Sequence, residues 1–194
     1  MLSLEQEIKE FLKLHGTQYQ EGCNEFDELD FCIHSQQRGD FHFDAKEKIQ
    51  NIQPANWPDI GVPEEFFFIL DDLAARKTLL KSPRSGIVVR DNLNSIYYFF
   101  SIVDLFLMPR VRVNRRIERN IPTLKGKWLV DLRNGTKARN LQEVFKAIAQ
   151  YTDSFDEIFQ NTLECYGSYN GEIIGQGGIT RRPEHWNKDV SSTR

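Results

Sequence analysis

Two short runs of alternating polar and apolar residues constrain this chain more than any other feature. They are Phe26-Asp27-Glu28-Leu29-Asp30-Phe31-Cys32-Ile33 and Phe41-His42-Phe43-Asp44-Ala45-Lys46-Glu47-Lys48. A period of two is the pattern of a half-buried strand. The polar stretch Ser35-Gln36-Gln37-Arg38-Gly39-Asp40 between them reads as a hairpin loop. Paired in this way, the runs put Leu29, Phe31 and Ile33 on one face with Phe41, Phe43 and Ala45. Glu28 and Asp30 then share the opposite face with Asp44, Lys46 and Lys48. Two carboxylates and a lysine on one side of a rigid sheet can hold a hard divalent cation beside a fixed positive charge. Such a grouping is suited to cutting a phosphodiester.

Around the hairpin, the periodicity predicts a helix over 4–15, with Ser3 as N-cap and Gln6 closing a capping box. Leu4, Ile8, Phe11 and Leu12 form its apolar stripe, and Gly16 ends it. Pro54, Pro58 and Pro63 mark a loop over 49–63. Helical spacing from Phe66 to Leu80 predicts a second helix over 64–80, with Pro63 at its first turn. Gly86–Arg90 reads as a buried strand. Ile96–Met108 is apolar nearly all round, so period alone leaves helix and strand both open, with Ser95 as a candidate cap. Arg110–Arg115 and Trp128–Arg133 read as strands, and Asn134-Gly135 as a turn. Asn140 opens an amphipathic helix carrying Leu141, Val144, Phe145, Ile148 and Tyr151, and Ser154 opens another that ends near Gly167. The expected organisation is one domain over 1–167 and a polar, glycine-containing tail over 168–194.

Charge is unevenly spread along the 194 residues. Residues 1–72 carry 16 acidic and 5 basic side chains, a net of −11, whereas residues 110–139 carry 10 basic and 2 acidic, a net of +8. An acidic segment can collect metal ions and a basic one phosphate. Cys23, Cys32 and Cys165 form no Cys-x-x-Cys pair, which points to reduced thiols in a cytoplasmic protein with no disulfide framework or zinc site. His15, His34, His42 and His185 show no spacing for a metal or a catalytic triad. The N-terminus lacks the pattern of a signal peptide, and the longest apolar run is too short to span a bilayer.

Asp30, a gap of thirteen residues, and then Asp44-Ala45-Lys46 resembles the motif of the PD-(D/E)XK nuclease superfamily. Its core is a helix, a three-stranded β-meander, a helix and a further strand, an order similar to the first ninety or so residues here. The resemblance implies an α/β protein with a restriction-endonuclease-like core and a C-terminal helical extension. It implies a Mg²⁺- or Mn²⁺-dependent enzyme that hydrolyses DNA with metal-activated water. Asp30 and Asp44 would be the metal-binding carboxylates, the Ala45 carbonyl a further ligand, and Lys46 the group that orients or helps deprotonate the water. A glutamate of the first helix often completes such sites, and Glu7 is the candidate, with Glu5 and Glu10 competing. The chain departs from the pattern in having Leu29 where the proline stands and Asp44 where glutamate is commoner.

Independently of the resemblance, metal-free Asp30 and Asp44 at close range would repel, and one would stay protonated. Arg110, Arg112, Arg115, Arg116 and Arg119 form the candidate DNA-binding patch, with Arg110 and Arg112 on one strand face. Double-strand cleavage is easiest for a homodimer, and a restriction, mobile-element or repair system would supply partner proteins. Two other readings stand beside the nuclease. One is a non-catalytic nucleic-acid-binding or assembly protein that keeps the fold. The other is an unrelated α/β interaction protein whose hairpin matches by accident.

Overall fold

The structure is a computed structural model that describes residues 2–22, 28–52, 56–116 and 124–155. The predicted helix beyond Phe155, the tail over 168–194 and Arg119 lie outside the described residues. The first elements follow the local sequence closely. Helix α1 spans Leu4–Leu14, with Ser3 Oγ accepting the Gln6 N–H, and buries Leu4, Ile8 and Leu12. The predicted capping box is only half made, because the Gln6 side chain donates forward to Glu10 at 3.2 Å instead of back to Ser3.

Strands β1 (Tyr19–Glu21), β2 (Phe31–Ile33) and β3 (Phe41–Lys48) form an antiparallel meander in which Phe31 faces Phe43 and Cys32 faces His42. The predicted hairpin is therefore present, with a shorter first strand. Asp30 sits at a bend just before β2. There its carbonyl accepts the Gly22 N–H at 3.0 Å, which continues the ladder one residue past the strand. A side chain at Gly22 would bring its Cβ within 2.2 Å of the Leu29 carbonyl oxygen, so the close approach of these two segments needs glycine.

The predicted helix over 64–80 is corrected. Phe67–Asp71 is strand β4, and helix α2 begins only at Asp72 and runs to Leu80. The physical reason is tertiary pairing. Phe66-Phe67-Phe68-Ile69-Leu70 is apolar on every side, which suits a strand between two layers, and β4 finds its partner in β8 (Leu124–Asp131). The open segment 96–108 also divides. Strand β6 is Ile96–Ser101 and helix α3 is Ile102–Leu107, with the boundary at a buried capping box between Ser101 and Asp104, not at Ser95. The Ser101-x-x-Asp104 spacing was the available signal for that boundary.

The remaining strands are β5 (Ser85–Asp91), β7 (Val111–Arg116) and β9 (Thr136–Ala138), and helix α4 spans Leu141–Asp153. The main sheet has the order β1-β2-β3-β5-β6-β9, and β5 runs parallel to β3 while the other pairs are antiparallel. A smaller sheet has the order β4-β8-β7. The architecture is thus mixed α/β.

Alternation along β3 divides the layers. Phe41 and Phe43 face the α1/α4 side, where Phe43 meets Phe145 edge-on at 6.0 Å and Phe41 meets Tyr151 at 6.2 Å. On the other side, Ile87, Val89 and Phe100 of the main sheet meet Phe68, Leu70 and Val130 of the smaller one, with Leu105 and Met108 from the α3 region. Among the described residues, no helix is long and apolar enough to cross a membrane.

Candidate active site

The hairpin register decides what stands beside Asp44. Its strand neighbours on the same face are His42 and Lys46, and the chain opposite it is the bend that carries Asp30. That bend is tied down from the side. Asp30 Oδ2 accepts the Ala45 N–H at 2.8 Å and the Lys46 ammonium at 3.2 Å. The same ammonium lies 2.7 Å from Asp44 Oδ2 and donates to the Ala45 carbonyl at 3.1 Å. Asp30, Asp44, the Ala45 carbonyl and Lys46 are therefore brought together as one cluster. Leu29, in the position where the proline would stand, is buried in the core.

Burial is unequal across the cluster, and that sets its electrostatics. The Asp44 side chain is 7 % exposed, against 31 % for both Asp30 and Lys46. Burial first, then the neighbouring Asp30, pushes the Asp44 carboxyl up to about 7. It therefore keeps a proton near neutrality and shares it in a hydrogen bond with Asp30. Asp30 moves the other way. Burial would raise it, but the hydrogen bond with Asp44, the charge of Lys46 and the Ala45 N–H together hold it below the usual carboxylate range. For Lys46, burial favours the neutral amine, yet Asp44 and Asp30 outweigh it and hold the ammonium above its ordinary value. Two carboxylates thus share one ammonium, and the negative charge left over is met by a proton, whose place a metal cation could take.

Glu7 is not part of this grouping. Its carboxylate binds Arg90 Nη1 at 2.5 Å and the Tyr97 hydroxyl at 2.6 Å. Arg90 also binds Glu47, which alternation puts on the face of β3 opposite Asp44 and Lys46. Glu7 therefore neutralises a largely buried arginine on the α1 side of the sheet. Glu5 and Glu10 lie on α1 as well, where Glu10 accepts from Gln6, and the cluster gathers neither of them. Lys48, predicted to lie beside Asp44, is buried and donates to the backbone carbonyls of Glu64 and Glu65.

The basic segment is largely neutralised within the fold. Asp72 accepts from Arg112 Nε and the Trp128 indole N–H, each at 2.8 Å, and pairs with Arg76 at 2.8 Å. Arg112 above all holds its carboxyl below the ordinary range. Asp71 pairs with Lys125 at 3.1 Å and with Lys127. Arg133 pairs with Asp131, and Arg139 with Glu143 at 3.8 Å. Arg110 lies over the Trp128 ring, 4.4 Å from its centroid, and donates to the carbonyls of Phe106 and Met108. Arg115 lies over Trp57 at 4.1 Å. Arg116 is exposed and has no ion pair among the described residues. The four described arginines of the predicted patch, Arg110, Arg112, Arg115 and Arg116, are thus not gathered into one free surface.

One grouping went unread in the sequence. Cys32, His34 and Asp40 bring one donor atom each to within 4.8 Å of one another. The signal was available in the hairpin pattern: Cys32 and His34 are two apart on one arm, and Asp40 and His42 are two apart on the other. Matching of the chain to protein-family models, to curated proteins and to solved structures returned no relative.

Proposed function

We propose that this chain is a divalent-metal-dependent nuclease that hydrolyses phosphodiester bonds in DNA. The observation that carries the reading is the single ammonium of Lys46 held between Asp44 and Asp30, beside an Asp44 carboxyl that retains a proton near neutrality. The element order lends support. A helix, a three-stranded meander, a helix and a strand parallel to β3 occur in the order expected for a restriction-endonuclease-like core, with β4 added to the second sheet.

The donor set fits Mg²⁺ or Mn²⁺, which favour carboxylate and carbonyl oxygens. Asp30, Asp44 and the Ala45 carbonyl would hold the ion. The bound ion would supply Lewis acidity toward a phosphoryl oxygen and acidify water. The residues of the chain set up the rest. The Ala45 N–H fixes the orientation of Asp30, and Asp44 gives up its proton when a cation takes its place. Lys46, protonated as it stands, would donate to a phosphate oxygen and offset charge that builds in the transition state. Charge brought close by a dication would lower its affinity for its proton, which lets it also serve in proton transfer.

The test uses purified wild type, Asp44→Ala and Lys46→Ala with linear and circular DNA in the presence of Mn²⁺. Cleavage by wild type alone, together with calorimetric Mn²⁺ binding lost in Asp44→Ala, supports the proposal. Equal cleavage by all three proteins identifies a contaminant. DNA binding without cleavage or metal uptake would instead favour a non-catalytic nucleic-acid-binding protein on the same fold.

A further inference from the structure

We propose that Cys32, His34 and Asp40, joined by His42, form a metal site that takes a divalent ion such as Zn²⁺ and clamps the loop end of the β2–β3 hairpin.

The donors converge. Cys32 Sγ lies 4.0 Å from His34 Nδ1 and 3.9 Å from His42 Nε2, and His34 Nδ1 lies 2.9 Å from Asp40 Oδ1. Zinc with one thiolate and nitrogen or oxygen ligands places neighbouring donors about 3.3–3.6 Å apart in a tetrahedron, from its bond lengths. The donor atoms of Cys32, His34 and Asp40 lie within 4.8 Å of one another and can close by side-chain rotation, whereas His42, 3.9 Å from Cys32 Sγ, needs a larger turn of its ring to complete the cage. The ligand types suit zinc and not magnesium.

The same geometry argues against a thiol nucleophile. A Cys–His–Asp relay needs the thiol and the carboxylate on opposite ring nitrogens. Here both face the same nitrogen, His34 Nδ1, which is what a shared central ion requires.

Charge and access agree. A thiolate, a carboxylate and two neutral imidazoles would balance a dication, so Lys81, which lines the same cavity of about 140 Å³, would face a neutral complex. The His34 and Asp40 side chains are 37 % and 57 % exposed, which leaves an entry path. The ligands come from both arms of the hairpin, and Cys32 pairs with His42 two steps from the level where Asp30 approaches Asp44, on the same face. An ion there would hold the register that brings the two aspartates together. The site stands on its own donors and does not depend on the nuclease reading.

Cobalt is the probe. One equivalent of Co²⁺ added to the full chain should give a thiolate-to-cobalt charge-transfer band and strong tetrahedral d–d bands, both removed by Zn²⁺ and not by excess Mg²⁺. Cys32→Ser should abolish the charge-transfer band, and His34→Ala and Asp40→Ala should each weaken cobalt binding at least about 10-fold. Asp44→Asn should leave the spectrum intact, which separates this site from the Asp30/Asp44 cluster. The inference is overturned if wild type shows no thiolate band, or if the band survives in Cys32→Ser because another cysteine supplies it. Circular dichroism checks folding. Should Cys32→Ser be misfolded, unchanged cobalt affinity in either exposed-ligand variant overturns the inference, and the expected loss in both supports it.

Discussion

The hairpin cluster and the β4–β8–β7 sheet both drew attention by their charge, yet they use it in opposite ways. At β7 and β8, each arginine or lysine near Asp71 and Asp72 is matched: Arg112, Arg76 and the Trp128 N–H on one carboxylate, Lys125 and Lys127 on the other. Those acids are held in their charged form and their partners are spent. At the hairpin, Asp30 and Asp44 share one ammonium, and Asp44 keeps a proton. A dense cluster of charge is a structural device where it is balanced, and a candidate site where the fold leaves it short of counter-charge.

The largest expected effect lies in catalysis. Lys46→Ala and Asp44→Asn should each lower Mn²⁺-dependent DNA cleavage by at least about 100-fold, as removal of a proton-transfer or charge-stabilising group does. Asp72→Ala should leave the cleavage rate of the folded protein within a few-fold of wild type. Comparable loss in Asp72→Ala would erase the contrast between the two regions.

The next effect is on stability against pH. Asp44 binds its proton more tightly folded than unfolded, so folding takes up a proton between about pH 4 and about pH 7. Stability from this group is fully present below that window and is lost as pH rises through it, by about 2–4 kcal/mol. Asp30 has the opposite sign: its contribution is present above the unfolded carboxylate range and is lost only as pH falls below it. Urea midpoints of metal-free protein should therefore fall from pH 4.5 to 7.5. Asp44→Asn should flatten that fall, and saturating Mn²⁺ should suppress it. A flat profile in wild type would show that Asp44 ionises freely.

Asp72→Ala should cost about 2 kcal/mol in urea unfolding, because it leaves a buried indole N–H and two guanidinium groups without their acceptor. The smallest effect expected is that of Glu7→Gln. It keeps a partner for Tyr97 and weakens the hold on Arg90, for about 1 kcal/mol, with Mn²⁺ affinity unchanged. A large loss of metal affinity in Glu7→Gln would reinstate that glutamate as a ligand.

Much of this was legible in local sequence. Ser3 and the Leu4/Ile8/Leu12 stripe marked α1, Asn140 and the Leu141/Val144/Ile148 stripe marked α4, and alternation marked the hairpin. The meeting of Asp30, Asp44 and Lys46 followed from the same alternation, since period two fixes the face of every residue once register is known. Where residues are apolar on all sides, period carries no information. For that reason Phe66–Leu70 read as helix and is strand, and Ile96–Met108 divides at Ser101.

The sequence by itself determined the ends of α1 and α4, the hairpin, and which of its side chains face one another, because caps and alternation act over a few residues. Only the tertiary structure decided that β4 pairs with β8, that Glu7 serves Arg90, and that Arg112, Lys125 and Lys127 of the basic segment are matched by Asp72 and Asp71. Those outcomes depend on partners some forty to ninety positions away in the chain, and no local pattern encodes which distant charge or strand will arrive.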